Sequence, residues 1–411
     1  MKNFLVIFME RKCAREGCMR ELLNLNFMER TATPRSKDRD KNSNELADRI
    51  SGRVTSVDFF RGITMFLLVG ESTRLYQHIE SVEGSSVMAW IGRLFSHHEW
   101  HGMHFWDLIQ PFFMFIVGVA IPFAVANRKK KGDSDQTILN HAVKRAFLLL
   151  FFGWALYCIE AGGIVWRFQN VLAQLGVTYL VAFLIMKKSF SFQLIFSFAV
   201  LLLTDLAYRF FPVEGFNHPW VPYENLGAWV NNKIEGVEKA SIWASLNAIP
   251  TIAHTVWGVM CGLILMSSRS SGEKIRILVI AGVAGLVIGY ALDWLNITPI
   301  IKKIATSSFV FATGGWSILA LCFCYWLIDV KKQFTEGSKF FIIVGMNSIF
   351  IYLFMHVGGA GIIHEIFTPF TKAFFSWVGE LTVGIITGIL VWGALWYLCY
   401  WLYRRRIFFK I

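Results

Sequence analysis

Charge is scarce in this chain: Asp, Glu, Lys and Arg make up only 17% of its 411 residues, against 55% hydrophobic residues. Such a balance, with a mean hydropathy of +0.49, leaves too little polar surface for an ordinary soluble globule and points to membrane. Cysteine is also sparse, at seven. Cys13 and Cys18 lie in the first 50 residues and Cys158, Cys261, Cys322, Cys324 and Cys399 in apolar runs, so no disulfide framework is indicated. Cys322 and Cys324 are two residues apart, about 200° around a helix, and cannot readily share one metal. No Gly-rich phosphate loop, Walker motif or dinucleotide fingerprint is present, which removes the usual nucleotide-binding folds. The opening MKNFLVIFMERK has an apolar core of only about six residues, too short for a cleaved signal peptide. No internal repeat of the kind found in alternating-access folds is discernible.

What the chain has is apolar length. Crossing a bilayer takes roughly 20 apolar residues in a helix, and about ten such runs occur, near 56–76, 104–126, 142–163, 171–186, 190–211, 250–267, 276–294, 308–328, 341–360 and 381–403. The fold class expected is therefore all-α, a polytopic helical membrane bundle. The fourth run is short, as a tilted or re-entrant segment would be. Two domains follow: a polar leader over 1–52, read as disordered and cytoplasmic, and a transmembrane domain over 53–405.

Lys and Arg set the expected orientation, because short cytoplasmic loops carry their excess. Arg128-Lys129-Lys130-Lys131, Lys187-Lys188, Arg269 with Lys274 and Arg276, Lys331-Lys332, and Arg404-Arg405-Arg406 all fall on one side of a ten-span scheme. That side is expected to be cytoplasmic, with both termini. Loops 77–103, 164–170, 212–249, 295–307 and 361–380 then face outward, and Lys302-Lys303 is the one discordant pair. The net charge of +12 is thus mostly topogenic, and no nucleic-acid partner is inferred.

Four of the ten histidines lie within His97-His98-Glu99-Trp100-His101-Gly102-Met103-His104, just before a span that carries Asp107. Ionisable groups at a membrane edge are expensive and are read first as functional. If the stretch is helical, His97, His101 and His104 have metal-ligand spacing. The nearby Trp100 and Trp106 argue instead for an aromatic sugar pocket, and no metal is expected. Of the other histidines, His254, His356 and His364 are expected to satisfy local hydrogen bonds. In the first span, Asp58 and Arg61 stand at i and i+3 and can pair; Arg61 also suits a phosphorylated ligand. Glu71 and Arg74 bring charge to the far end of the same span. In loop 212–249, Trp220, Tyr223, Trp229 and Trp243 with Glu214, Glu224, Glu235 and Glu238 suggest a lid, its rings able to stack on a ligand and its carboxylates able to attract a cationic one.

Ser56-x-Asp58-x-x-Arg61-Gly62, His97-x-x-Trp100-x-Gly102, Asp107-Leu-Ile-x-Pro111-Phe-Phe-x-Phe-x-x-Gly118, Leu175-Gly-Val-Thr-Tyr179 and Gly345-Met-Asn347-Ser-Ile together resemble the heparan-α-glucosaminide N-acetyltransferase family and its bacterial homologues, over roughly 50–403. The resemblance implies a ten- or eleven-helix bundle that carries acetyl from cytosolic acetyl-CoA to an amino sugar or glycan on the far side. It implies His97 as the catalytic histidine and Asp107 as its carboxylate. Glu71-Ser72, Ala173-Gln174 and Pro299-Ile-Ile-Lys302-Lys-Ile-Ala305 depart from the family pattern.

Acyl transfer to an amine needs a base, and neutral imidazole suits it; Asp107 would fix its tautomer, as in hydrolase triads. Both direct attack and a transient acetyl-imidazole on His97 are open. Substrate binding is expected from Glu99, Trp100, His101, Glu71 and Asn347, and the acetyl-CoA donor is expected on Arg61, Asp58 and Lys302. Membrane lipids and a homodimer are the other partners considered. Resemblance to bacterial members and the absence of organelle signals favour a bacterial inner membrane. The alternative from another class is a secondary transporter or flippase, with Asp58, Glu71, Arg74, Asp107, Asp205, Arg209 and Asp293 forming a substrate path.

Overall fold

The computed structural model describes residues 54–81, 86–409 and 411; the expected leader over 1–52 lies outside them. Among the described residues the chain is helical and has no strand, only an isolated bridge between His101 and Ile301. Its helices are α1 (Thr55–Glu71), α2 (Leu75–Glu80), α3 (Ser86–Leu94), α4 (Ile109–Lys130), α5 (Asp135–Ala161), α6 (Val171–Ile185), α7 (Phe190–Arg209) and α8 (Leu226–Glu235). They continue as α9 (Ile252–Met266), α10 (Ser271–Trp294), α11 (Ser307–Cys324), α12 (Thr335–Met346), α13 (Ser348–His356), α14 (Gly359–Phe375) and α15 (Glu380–Arg404). Among the described residues seven helices are long and apolar enough to cross a membrane, and α12 with α13, bent by 59°, makes an eighth.

All ten anticipated runs contain helical residues. The fourth, α6, has 15 residues. The first run reached residue 76 on apolarity, yet α1 stops at Glu71: the Ser72 and Thr73 hydroxyls turn back to the carbonyls of Val69 and Gly70, and Arg74 takes φ +61°. The expected outer loop 361–380 is also corrected, since most of it is α14, which exposes Ile362, Ile366, Phe370 and Phe374 along one stripe. The glycines at 358, 359 and 361 and Pro369 disguised that four-residue period as a loop.

Polar residues punctuate the bundle. Ser134, Asn170, Ser189, Asn225 and Ser270 each accept a backbone N–H three residues on, capping α5, α6, α7, α8 and α10. At the centre, α4 lies against α9 with side chains of almost no size between them: a Cβ on Gly258 would stand 2.1 Å from the Phe115 carbonyl oxygen, and one on Gly262 2.5 Å from that of Val119. This is the small-x-x-x-small device that lets membrane helices approach closely. α4, α9 and α11 form the interior, whereas α5, α7 and α10 turn apolar side chains such as Phe147, Leu203 and Val287 outward, as lipid-facing helices do.

Contacts sort the chain ends of these helices into two groups. Lys129 and Lys187 share Asp135 at 3.2 and 3.1 Å. The Asp329 carboxylate takes the N–H groups of Thr55 and Ser56, Tyr325 meets Ser271, and Asn347 holds the Ile407 carbonyl. The five Lys/Arg clusters thereby gather at one end, the basic end. The histidine segment, the 295–306 loop and α8 gather at the other.

Candidate active site

Asp107 is the hub of the histidine end. It sits in a single 3-10 turn, Phe105–Leu108, that leads into α4, so its carboxylate faces the positive start of a helix. One oxygen, Oδ2, accepts the backbone N–H groups of His98 at 3.2 Å and His104 at 2.9 Å. The other, Oδ1, is 3.0 Å from His97 Nδ1 and 3.2 Å from the Lys302 ammonium. Asp107 and Lys302 are closed off, with side chains 1% and 7% exposed, whereas that of His97 is 37% exposed. An open imidazole thus stands on a buried ion pair. Trp243 covers one side of it, ring to ring at 5.4 Å.

The histidine segment is an irregular loop, and the helical metal spacing considered for it does not arise. His101 turns to Asp293 at 2.7 Å and His104 to the Ser96 carbonyl at 3.1 Å. Among the described residues no three His, Cys, Asp or Glu side chains are placed to hold a metal. Gly102, at φ +135°, lets the loop turn where a Cβ would strike the His98 ring 2.5 Å away. Its N–H donates to the Ile300 carbonyl at 2.8 Å, which stitches the loop to the one carrying Lys302.

Of the expected substrate residues, Glu99, Trp100 and His101 surround this constellation. The Glu99 carbonyl accepts from Lys303 at 2.5 Å, and the Trp100 indole N–H donates to the Trp220 carbonyl at 2.7 Å. Glu71 lies close behind, accepting the Trp106 indole N–H at 3.1 Å. Asn347 does not join them. Its amide is wholly committed to the C-terminal segment, donating to the Ile407 carbonyl at 3.1 Å and accepting from the Phe409 N–H at 3.2 Å. It belongs with Gly345, which packs on Gly62 next to Arg61.

On the expected donor side, Asp58 and Arg61 pair at 2.7 Å, toward the basic end of α1. Lys302 is not with them. Its ammonium is in the Asp107 and His97 cluster near Glu71, and Arg61 is ten residues from Glu71 along α1, about 15 Å at helical rise. The placement of Lys302 with the donor phosphates is therefore corrected. The discordant Lys302-Lys303 pair was the signal: charge that violates the orientation rule is retained for another reason.

The lid segment contributes differently from expectation. Glu235 is sealed by Arg167 at 2.7 Å and Gln169 at 2.6 Å, with its side chain 4% exposed, so it offers no charge to a ligand. Instead Asn231 of α8 grips the Trp243 carbonyl at 2.7 Å and holds that indole beside His97, with the ammonium groups of Lys302 and Lys303 at 5.5 and 5.7 Å from its ring. Burial pulls the proton affinities of both lysines below the ordinary lysine range, and Asp107 opposes the shift. His98, beside the site, is likewise pulled down by burial, with His104 adding to it. His254 and His356 hold Thr313 and the Tyr352 carbonyl, and His364 meets Thr368, as local hydrogen bonding predicts.

Residues 53–204 match the model of a domain of unknown function, DUF5009. Human heparan-alpha-glucosaminide N-acetyltransferase is 25% identical over 426 aligned residues, covering 87% of this chain, and the mouse protein 26% identical over 479, covering 96%. The chain spans 60% of the human relative's length and 69% of the mouse relative's. The chain is thus a helical membrane bundle that is similar along most of its own length to heparan-alpha-glucosaminide N-acetyltransferases.

Proposed function

We propose that the protein is a membrane acetyltransferase that takes an acetyl group from acetyl-CoA at the basic end and delivers it to an amino sugar or glycan at the histidine end. The observation that carries this reading is the exposed His97 imidazole, fixed through Nδ1 on a buried carboxylate, at the end away from the five basic clusters. The relatives' names supply the reaction class. By the orientation rule the basic end is cytoplasmic, as in a bacterial inner membrane, and the acceptor is then met outside.

With Nδ1–H directed to Asp107, the lone pair on Nε2 is the base. The acceptor amine attacks the thioester carbonyl carbon while Nε2 takes its proton; the carbon–sulfur bond then breaks, and the imidazolium returns the proton to the departing sulfur. The cationic surroundings set by Lys302 and Lys303 favour the neutral amine, which is the form that attacks. Trp243 and Trp100 offer ring faces to the apolar side of a sugar. At the other end, Arg61 supplies a guanidinium for the donor's phosphates.

Purified protein in detergent, given labelled acetyl-CoA and a panel of hexosamines and amino-sugar oligosaccharides, is expected to yield a product heavier by one acetyl group. Uptake of unmodified sugar by vesicles, with no acetylated product under any condition, would replace this reading with the transporter.

A further inference from the structure

His97 Nδ1 has two neighbours at hydrogen-bond distance and one hydrogen-bonding site. Asp107 Oδ1 lies at 3.0 Å and asks for a proton; the Lys302 ammonium lies at 3.1 Å and offers one. Both contacts cannot be used together. If Nδ1 accepts from Lys302, Nε2 carries the hydrogen and the imidazole is no base. If Nδ1 donates to Asp107, the ammonium is left to the same carboxylate oxygen, 3.2 Å away, and stands as a positive charge beside the ring.

We propose that Lys302 is a positioning residue for the transfer reaction: its ammonium keeps Asp107 ionised and, by its charge beside the ring, holds His97 neutral with Nε2 bare until the acceptor's proton arrives. The inference rests on the reading of His97 as the base. Its physical content is simple. A second positive charge at this distance opposes imidazolium formation, so the base is not consumed by solvent protons, and it also hastens the return of the proton to the leaving sulfur.

The architecture around Lys302 is built to hold it there. Its short 3-10 turn, Lys302–Ile304, is fixed by Asn247, whose amide donates to the Lys303 carbonyl at 2.9 Å and reaches the Lys302 carbonyl at 3.4 Å. Ala305, in the left-handed region at φ +49°, closes the turn with its N–H on the Lys302 carbonyl. Burial weakens the hold of Lys302 on its proton while Asp107 restores it, so the pair works as a unit. The other charged or titratable groups near the ring are Lys303 across Trp243, Glu71 behind Trp106, and His98, Glu99, His101 and His104 on the same loop, with Asp293 holding His101. None of them is placed within hydrogen-bond distance of His97.

The test uses full-length protein labelled with nitrogen-15 at histidine, the His97 resonances being assigned by His97→Gln. Imidazole titrations and pH–rate profiles are compared for wild type, Lys302→Met and Lys302→Arg. In Lys302→Met the imidazolium loses its opposing charge, so the His97 titration and the acid limb of kcat both move to higher pH, by about one unit, and kcat falls at least tenfold. Lys302→Arg, which retains the charge, keeps both near wild type and extends the alkaline side, because guanidinium does not lose its proton there. A His97 titration unmoved in Lys302→Met, or moved equally in Lys302→Arg, overturns the inference. If the titration moves as described but wild type transfers no acetyl group, the positioning role stands and the acetyltransferase reading falls.

Discussion

The two ends of the bundle use charge in opposite ways. At the basic end, Lys129 and Lys187 reach a common Asp135 whose side chain is 65% exposed, and water screens whatever they gain. At the histidine end, Asp107 gathers Lys302, His97 and two backbone N–H groups in a space that water barely enters. The first arrangement tolerates substitution, since only the sum of charge matters. The second does not, because each partner offsets the desolvation of another. The clusters proposed to orient the chain and the one proposed to do chemistry thus differ in burial and in how many partners each charge must satisfy.

The largest expected break in this contrast is His97→Ala, which should lower acetyl transfer on the order of 10^4-fold while leaving the melting temperature and detergent-solubilised yield near wild type. Asp107→Asn comes next. It should reduce transfer by about 10^3-fold by loosening the tautomer, and because it strands the buried Lys302 ammonium it should also destabilise the protein by about 3 kcal/mol, seen as a lower thermal midpoint. At the other end, Arg61→Ala should raise the KM for acetyl-CoA about tenfold, the worth of a charge-assisted contact, with the acceptor KM unchanged. A change in the acceptor KM instead would place Arg61 in a different role. The smallest effect belongs to Lys187→Ser, which should alter stability by less than about 0.5 kcal/mol and leave both KM values alone.

Much of this molecule is readable in its residues. Apolar length marks the seven or eight candidate spans among the described residues, and the caps at Ser134, Asn170, Ser189 and Ser270 are where side-chain chemistry would put them. His97 and Asp107, both singled out in the sequence, lie in hydrogen-bond contact. What escapes a linear reading is anything set by distant loops meeting. Lys302 and Trp243 reach His97 from segments more than a hundred residues away, and no local period announces them. Asn347 misleads for the complementary reason: a buried amide in a span signals a partner, but here the partner is the chain's own C-terminal segment. The α14 segment was hidden by its glycines and its proline, although the apolar stripe that identifies it is present in the sequence.

The central claim is that acetyl groups enter at one end and leave at the other. Protein reconstituted in sealed liposomes, with labelled acetyl-CoA confined to the side of the basic clusters and glucosamine to the other, tests it most directly. Labelled N-acetylglucosamine formed only in the acceptor compartment, and lost with His97→Ala, is the predicted result. Product formed only when donor and acceptor share a compartment would contradict the account.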